Sequence, residues 1–136
     1  MANKKIEDIE GIGPASAEKL AAADIKDTDG LLEKCCDKGG RKKVAEQTGV
    51  SESQLLKWAN MADLFRIRGV GSEFAELLER SGVDTVKELA TRNAANLAAK
   101  MAEVNEEKKL TRRVPSEKEV AGWVSQAGEL PATITH

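Results

Sequence analysis

Tyrosine is absent from this 136-residue chain, and the other aromatics, two Trp and two Phe, make up only 3% of it. Long β-branched runs are missing too, so a sheet core lacks its usual material. The one histidine is His136. With no internal His, no third Cys and no metal-ligand spacing, zinc sites and histidine-dependent nucleophilic triads are excluded, and no metal or cofactor is expected. Cys35 and Cys36 are adjacent, a spacing that rarely accommodates an unstrained disulfide. Inert thiols in a reducing cytosol are the expectation. No apolar run approaches membrane-spanning length, and residues 1–5 lead into acidic and polar residues without the apolar stretch of a signal peptide. A soluble, cytoplasmic, monomeric protein with no membrane attachment is expected. Neither sign of charge dominates: 21 basic residues stand against 23 acidic ones, for a net charge of −2. No global field draws polyanions to such a surface, so any phosphate binding has to be local.

What is present is aliphatic. Alanine and the aliphatic residues make up most of a 40% hydrophobic fraction, a composition that favours helix. The length suits one ordinary domain or two small ones packed together, burying roughly 68% of the unfolded surface.

The chain repeats itself. Ile9-Glu10-Gly11-Ile12-Gly13-Pro14-Ala15-Ser16-Ala17-Glu18-Lys19-Leu20 aligns with Ile67-Arg68-Gly69-Val70-Gly71-Ser72-Glu73-Phe74-Ala75-Glu76-Leu77-Leu78 at an offset of 58, the distance from Gly11 to Gly69. Ile25 then falls on Val83 and Leu31 on Leu89. Val44-Ala45-Glu46 matches Met101-Ala102-Glu103 at an offset of 57, and Ser51 to Trp58 matches Ser116 to Trp123 at 65. The eight extra residues of the second copy lie between Glu103 and Ser116. The copies are expected to divide as residues 1–63 and 64–127, packed as one rigid body, with residues 128–136 a loosely held tail.

Start and stop signals cut each copy into short helices. Pro14 suits a first helical position, because its φ is already helical and its missing N–H would have no partner there; that helix should reach about Ala23. Asp27 and Thr28 offer caps for a helix ending near Cys35, as Thr85 does in the second copy. Gly39-Gly40 should break the chain, a helix over Arg41 to Thr48 should stop at Gly49, and Ser51/Gln54 and Ser116/Glu119 read as capping boxes. Leu55, Trp58, Ala59 and Ala62 recur at helical steps and mark an inward face, continued by Phe65. Trp58 and Trp123 are expected core anchors.

The glycine signature carries whatever chemistry there is. Apolar-x-Gly-apolar-Gly followed by a small residue permits a tight turn, and the small Ala17 or Ala75 allows close helix packing. Such a turn leaves main-chain N–H groups at the start of a helix, where positive potential suits one phosphate and ignores base sequence.

Residues 6–23 and 64–81 resemble the helix-hairpin-helix motifs of DNA repair and recombination proteins. The full chain, through Leu55-Leu56-Lys57-Trp58-Ala59-Asn60-Met61-Ala62-Asp63-Leu64 and Val86-Lys87-Glu88-Leu89-Ala90, is similar to a bacterial domain-of-unknown-function family with this doubled arrangement. The resemblance implies an all-α fold of two tandem helix-hairpin-helix (SAM-like) repeats, and contact with the backbone of duplex DNA. The candidate contact residues are Gly11, Ile12 and Gly13 with Lys19 in the first copy. In the second they are Arg66, Arg68, Gly69, Val70 and Gly71 with Lys108, Lys109, Arg112 and Arg113. DNA-binding hairpins usually place Lys or Arg just after the second glycine. Here Pro14-Ala15-Ser16 and Ser72-Glu73-Phe74 stand there, and Glu73 would face the phosphate.

Non-enzymatic DNA binding is the leading expectation. The alternative is a protein-interaction module presenting an acidic helical face, which the net charge and Glu73 favour. Gly-apolar-Gly turns also simply join packed helices, and basic groups such as Arg41-Lys42-Lys43 also simply solvate a surface.

Overall fold

The computed structural model describes residues 4–135. The leader reading of residues 1–3 and the role of His136 lie outside them. Among the described residues the chain is all-helical: a 3₁₀ turn at Ile6–Asp8 precedes eight α-helices, and no β-strand forms. These are α1 (Pro14–Ala22), α2 (Thr28–Cys35), α3 (Lys38–Thr48), α4 (Glu52–Leu64), α5 (Ser72–Arg80), α6 (Val86–Leu89), α7 (Ala94–Lys108) and α8 (Glu117–Glu129). No helix among them is long and apolar enough to cross a membrane. The chain forms two compact units, one of residues 4–63 with 133–135 and the other Leu64–Ala132.

In the first unit α3 packs on α1 and α2 around Ile9, Leu20, Ile25, Leu31, Val44 and Leu55, all buried. In the second, α7 packs on α5 and α8, and α6 on α8, around Ile67, Leu78, Val83, Leu89, Met101 and Val120. These are the positions the internal alignment pairs.

Local backbone contacts repeat with them. The Ile12 N–H donates to the Ile9 carbonyl at 3.1 Å and the Val70 N–H to the Ile67 carbonyl at 3.2 Å. At the end of the next helix, Ile25 donates to Leu20 and Val83 to Leu78, both at 2.9 Å. The residues between, Asp24 and Gly82, both take positive φ, 63° and 95°. Asp24 has the short polar side chain that tolerates this conformation.

Side-chain caps set most helix starts. Asp27, Asp37, Thr85, Asn93 and Ser116 each accept an N–H from three residues on, and Ser51 accepts from Gln54. Ser116 and Glu119 complete both halves of a capping box.

Three features depart from the sequence reading, and the extra residues of the second copy fall where it put them. The break after α2 falls at Cys36 and Asp37, and Gly39-Gly40 lie inside the first turn of α3, because Asp37 caps that turn through the Gly40 N–H at 2.7 Å. Gly40 is small for a packing reason: a β-carbon there would clash with the Lys34 carbonyl oxygen.

The extra residues of the second copy first lengthen α7 to 15 residues against the 11 of α3. Both helices stop on a left-handed residue, Gly49 and Lys109. The loop that follows is held from inside: the buried Asn105 side chain accepts the Thr111 N–H at 2.9 Å and donates to the Thr111 carbonyl at 3.2 Å.

The later part of α4 is buried around its whole girth, with Asn60 and Asp63 included, so the expected stripe is wider than one face. The expected loose tail is anchored at its end. Ile134 is buried, the Thr135 N–H donates to the Cys36 carbonyl at 2.8 Å, and the buried Arg41 guanidinium donates to the carbonyls of Cys35 at 3.0 Å and Thr135 at 2.8 Å.

Candidate functional site

The two glycine hairpins have the same construction. Gly11 and Gly69 both adopt φ 94°, in the region that a side chain disfavours. Ile12 and Val70 are buried and pin each turn to its unit. Gly13 and Gly71 are the N-caps of α1 and α5, in extended conformation with φ of −93° and −99°. A glycine cap has no side chain, so neither helix start has the cap hydrogen bond found at the other six. The first intrahelical bonds are Ala17 N–H to the Gly13 carbonyl and Ala75 N–H to the Gly71 carbonyl. Ahead of them, the N–H groups of Ala15 and Ser16, and of Ser72, Glu73 and Phe74, lie in the first turn, where an α-helix supplies no acceptor.

Each hairpin is backed by the tryptophan of its own unit. A β-carbon on Gly11 would stand 3.5 Å from Trp58 Nε1, and one on Gly69 3.0 Å from Trp123 Nε1. Trp58 Nε1 is buried without a hydrogen-bond partner.

Chemistry differs between the two. On α1 Lys19 is exposed, with Glu18 beside it. The position equivalent to Lys19 on α5 is Leu77, which is buried. Ala17 is only half-buried, whereas Ala75 is fully buried, so the close packing expected of this small residue occurs in the second copy alone.

At the second hairpin the Gln126 side chain clamps the backbone of Arg68, accepting its N–H at 2.9 Å and donating to its carbonyl at 3.2 Å. The Arg68 side chain is left exposed. Arg66 is half-buried and engaged, donating through Nη2 to the Pro131 carbonyl at 2.7 Å. Arg113 reaches this hairpin through the third residue of α5: its guanidinium lies 5.3 Å from the Phe74 ring centroid, and Phe74 packs on Trp123 at 5.3 Å. The same guanidinium forms a two-bond pair with Glu119, at 2.6 and 2.8 Å. That hydrogen bonding, together with the backbone bond from Ser116, pulls the Glu119 carboxyl down to about 2. Arg112 is exposed in the same loop, while Lys108 and Lys109 are exposed at the end of α7 with no contact that joins them to the hairpin.

Residues 10–130 match the family model described as "Domain of unknown function (DUF4332)". The chain belongs to this family. No curated protein and no solved structure matches it significantly. For this family member, then, site chemistry rests on the residues themselves.

Among the described residues, no group of three or more His, Cys, Asp or Glu is placed to hold a metal ion. Burial pushes the Cys35 thiol up to about 11, which keeps it protonated and unreactive. Three parts of the second hairpin's surroundings escaped the sequence reading: the Gln126 clamp, the Phe74 platform under Arg113, and the Asn105 brace of the loop that carries Arg113. Each joins residues far apart in sequence by side-chain contact, and no short-range signal announces such contacts.

Proposed function

We propose that the chain is a tandem helix-hairpin-helix protein that binds the backbone of DNA without regard to sequence and performs no catalysis. The observation that carries this reading is the contrast in helix starts: six helices are capped by a side chain, and the two that follow a glycine hairpin are not. First-turn N–H groups without a cap attract an oxyanion through direct hydrogen bonds and the field of the helix. Each such turn suits a backbone phosphate, which carries no base information.

The second hairpin is the stronger contact in this reading, because Arg68 stands beside it and Arg113 comes over Phe74 to its helix. Glu73, exposed in the first turn of α5, and Glu119, paired with Arg113, both weaken it. Affinity is therefore modest and strongly salt-dependent. Binding to a random duplex should weaken with salt along a log–log slope equivalent to roughly two to five neutralised phosphates. In a titration followed by backbone amide resonances, Gly13, Gly71 and the residues after them should move first. Charge reversal at Arg68 should weaken binding more than the same change at Lys26. A salt-independent signal, or equal effects at positions 68 and 26, would sink the reading.

A second reading, a protein-interaction module, is favoured by the outer face of α1. Pro14, Ala15, Ala21 and Ala22 are exposed there, where the equivalent positions of α5 hold Ser72, Glu73, Glu79 and Arg80. Ala21 and Ala17 also line a groove of about 370 Å³ beside the 3₁₀ turn, with Glu7 and Glu18 at its edge. Amide shifts confined to this face on addition of a binding protein, with none at Gly13 or Gly71 on addition of DNA, would select this reading.

A further inference from the structure

Away from the hairpins, the second unit carries a cleft of about 270 Å³ where the end of α6 meets the start of α7. Asn93 caps α7 here by accepting the Asn96 N–H at 3.0 Å, and Asn96 itself is exposed.

Its lining is rich in donors. Arg92 is held by Nη2, which donates to the Gly82 carbonyl and to Glu88 Oε1, both at 2.8 Å. Its Nη1 and Nε lie outside those contacts. Asn93 uses its carbonyl oxygen to cap α7, which leaves its amide nitrogen as the outward end, and Asn96 adds a second amide. Lys100 stands one turn further along α7, exposed and without an ion pair among the described residues. The hydroxyls of Ser81 and Thr91 donate to the carbonyls of Leu77 and Glu88, and so contribute shape more than binding. No carboxylate lines the cleft; Glu88, paired with Arg92, is the nearest counter-charge on the contacts described.

Two cations and two amide donors arranged around a small cleft suit a compact anion with acceptor oxygens on several sides. The field of the α7 first turn has the same sign. We propose that this cleft binds the phosphate group of a phosphomonoester, supplied either by a small molecule or by the 5′ end of a nucleic-acid strand. The site is separate from the hairpins and does not depend on their binding DNA.

The full chain titrated with phenyl phosphate should show saturable amide shifts at Ser81 and residues 91–100, with a dissociation constant on the order of 1 mM. Lys100→Gln, at an exposed position where folding should be unaffected, should weaken binding about threefold or more, and Glu88→Gln, which releases Arg92, should strengthen it. A short single strand with a 5′-phosphate gives the second arm. If it binds about tenfold more tightly than phenyl phosphate, through the same residues and only when phosphorylated, the source is a strand end; equal affinity points to a small molecule. Shifts that never saturate, or binding unchanged by both substitutions in a normally folded protein, overturn the proposal. So does an oligonucleotide that binds equally with or without its phosphate while phenyl phosphate moves none of these amides.

Discussion

Gly69 lies against the indole of Trp123, and a β-carbon on that glycine would come within 3.0 Å of Nε1. Gly11 stands in the same relation to Trp58 at 3.5 Å. In each half the turn near the beginning is therefore closed by a tryptophan from the last helix, and the hairpin is held by a long-range contact as well as by its own backbone.

Gly69→Ala should cost roughly 2–3 kcal/mol, combining the positive φ with crowding against Trp123. Gly11→Ala meets the same φ but a looser contact, and should cost roughly 1–2 kcal/mol. Urea unfolding followed by tryptophan fluorescence measures both, and each unit holds one tryptophan, so Trp58→Phe and Trp123→Phe backgrounds separate the halves. An equal or larger loss at Gly11 would show that the indole contact does not set the difference.

Gly40→Ala should be more damaging than an ordinary exposed Gly→Ala change in a helix, which usually stabilises. The new methyl would meet the Lys34 carbonyl, and backbone has to shift; a loss of roughly 2 kcal/mol or more is expected. Unchanged or raised stability would mean that the junction of α2 and α3 yields easily.

Lys109→Gly should stabilise the second unit by roughly 0.5–1 kcal/mol, because a lysine held at φ 53° carries left-handed strain that glycine lacks. Gly49 already occupies the equivalent position in the first unit. Thermal unfolding is the readout, and a fall in the transition temperature would indicate that the Lys109 side chain makes a compensating contribution.

Glu119 supplies a pH dependence. Its folded pKa is lowered from 4.5 to about 2 by Arg113 and Ser116. The unfolded chain therefore binds this proton more readily. The stabilisation is present above about pH 4.5 and is lost as pH falls toward about 2. Glu119→Gln keeps a capping side chain but cannot titrate, so its acid loss of stability should be smaller than that of the unaltered protein. Both groups of the pair are exposed, and solvent screening keeps the difference small. Identical acid profiles would remove the pair from the account.

Arg41→Leu puts an apolar side chain at this buried position. It removes both hydrogen bonds from the guanidinium and frees the end of the chain. The Thr135 amide should then exchange with solvent about tenfold faster or more, while amides inside α3 stay protected. Slow exchange at Thr135 in that variant would mean that Ile134 and the Thr135 bond to the Cys36 carbonyl hold the segment without Arg41.

Much of the local structure was legible in the residue order because its causes are local. Pro14 opens α1, Asp27 and Ser116 cap α2 and α8, Gly49 closes α3, and the spacing of Leu55, Trp58, Ala59 and Ala62 marks a face that is indeed buried. Gly39-Gly40 misled for an equally physical reason. Two glycines usually weaken a helix, but Asp37 supplies the cap and Lys34 leaves no room for anything larger. The candidate basic residues could be named from sequence, yet their availability could not: Arg68 is exposed, Arg66 is tied to Pro131, and Arg113 is paired with Glu119.

Taken alone, the order of residues determined that this protein would be helical, where most helices begin and end, and that two glycine turns recur 58 residues apart, because caps, φ preferences and apolar spacing act over a few neighbours. Tertiary structure alone decided which glycine is pressed by an indole, which arginine is spent on a carbonyl or a carboxylate, and which residues meet around the cleft at Arg92, Asn96 and Lys100. Those outcomes depend on side chains brought together across long stretches of chain, and such distances exist only once the fold has closed.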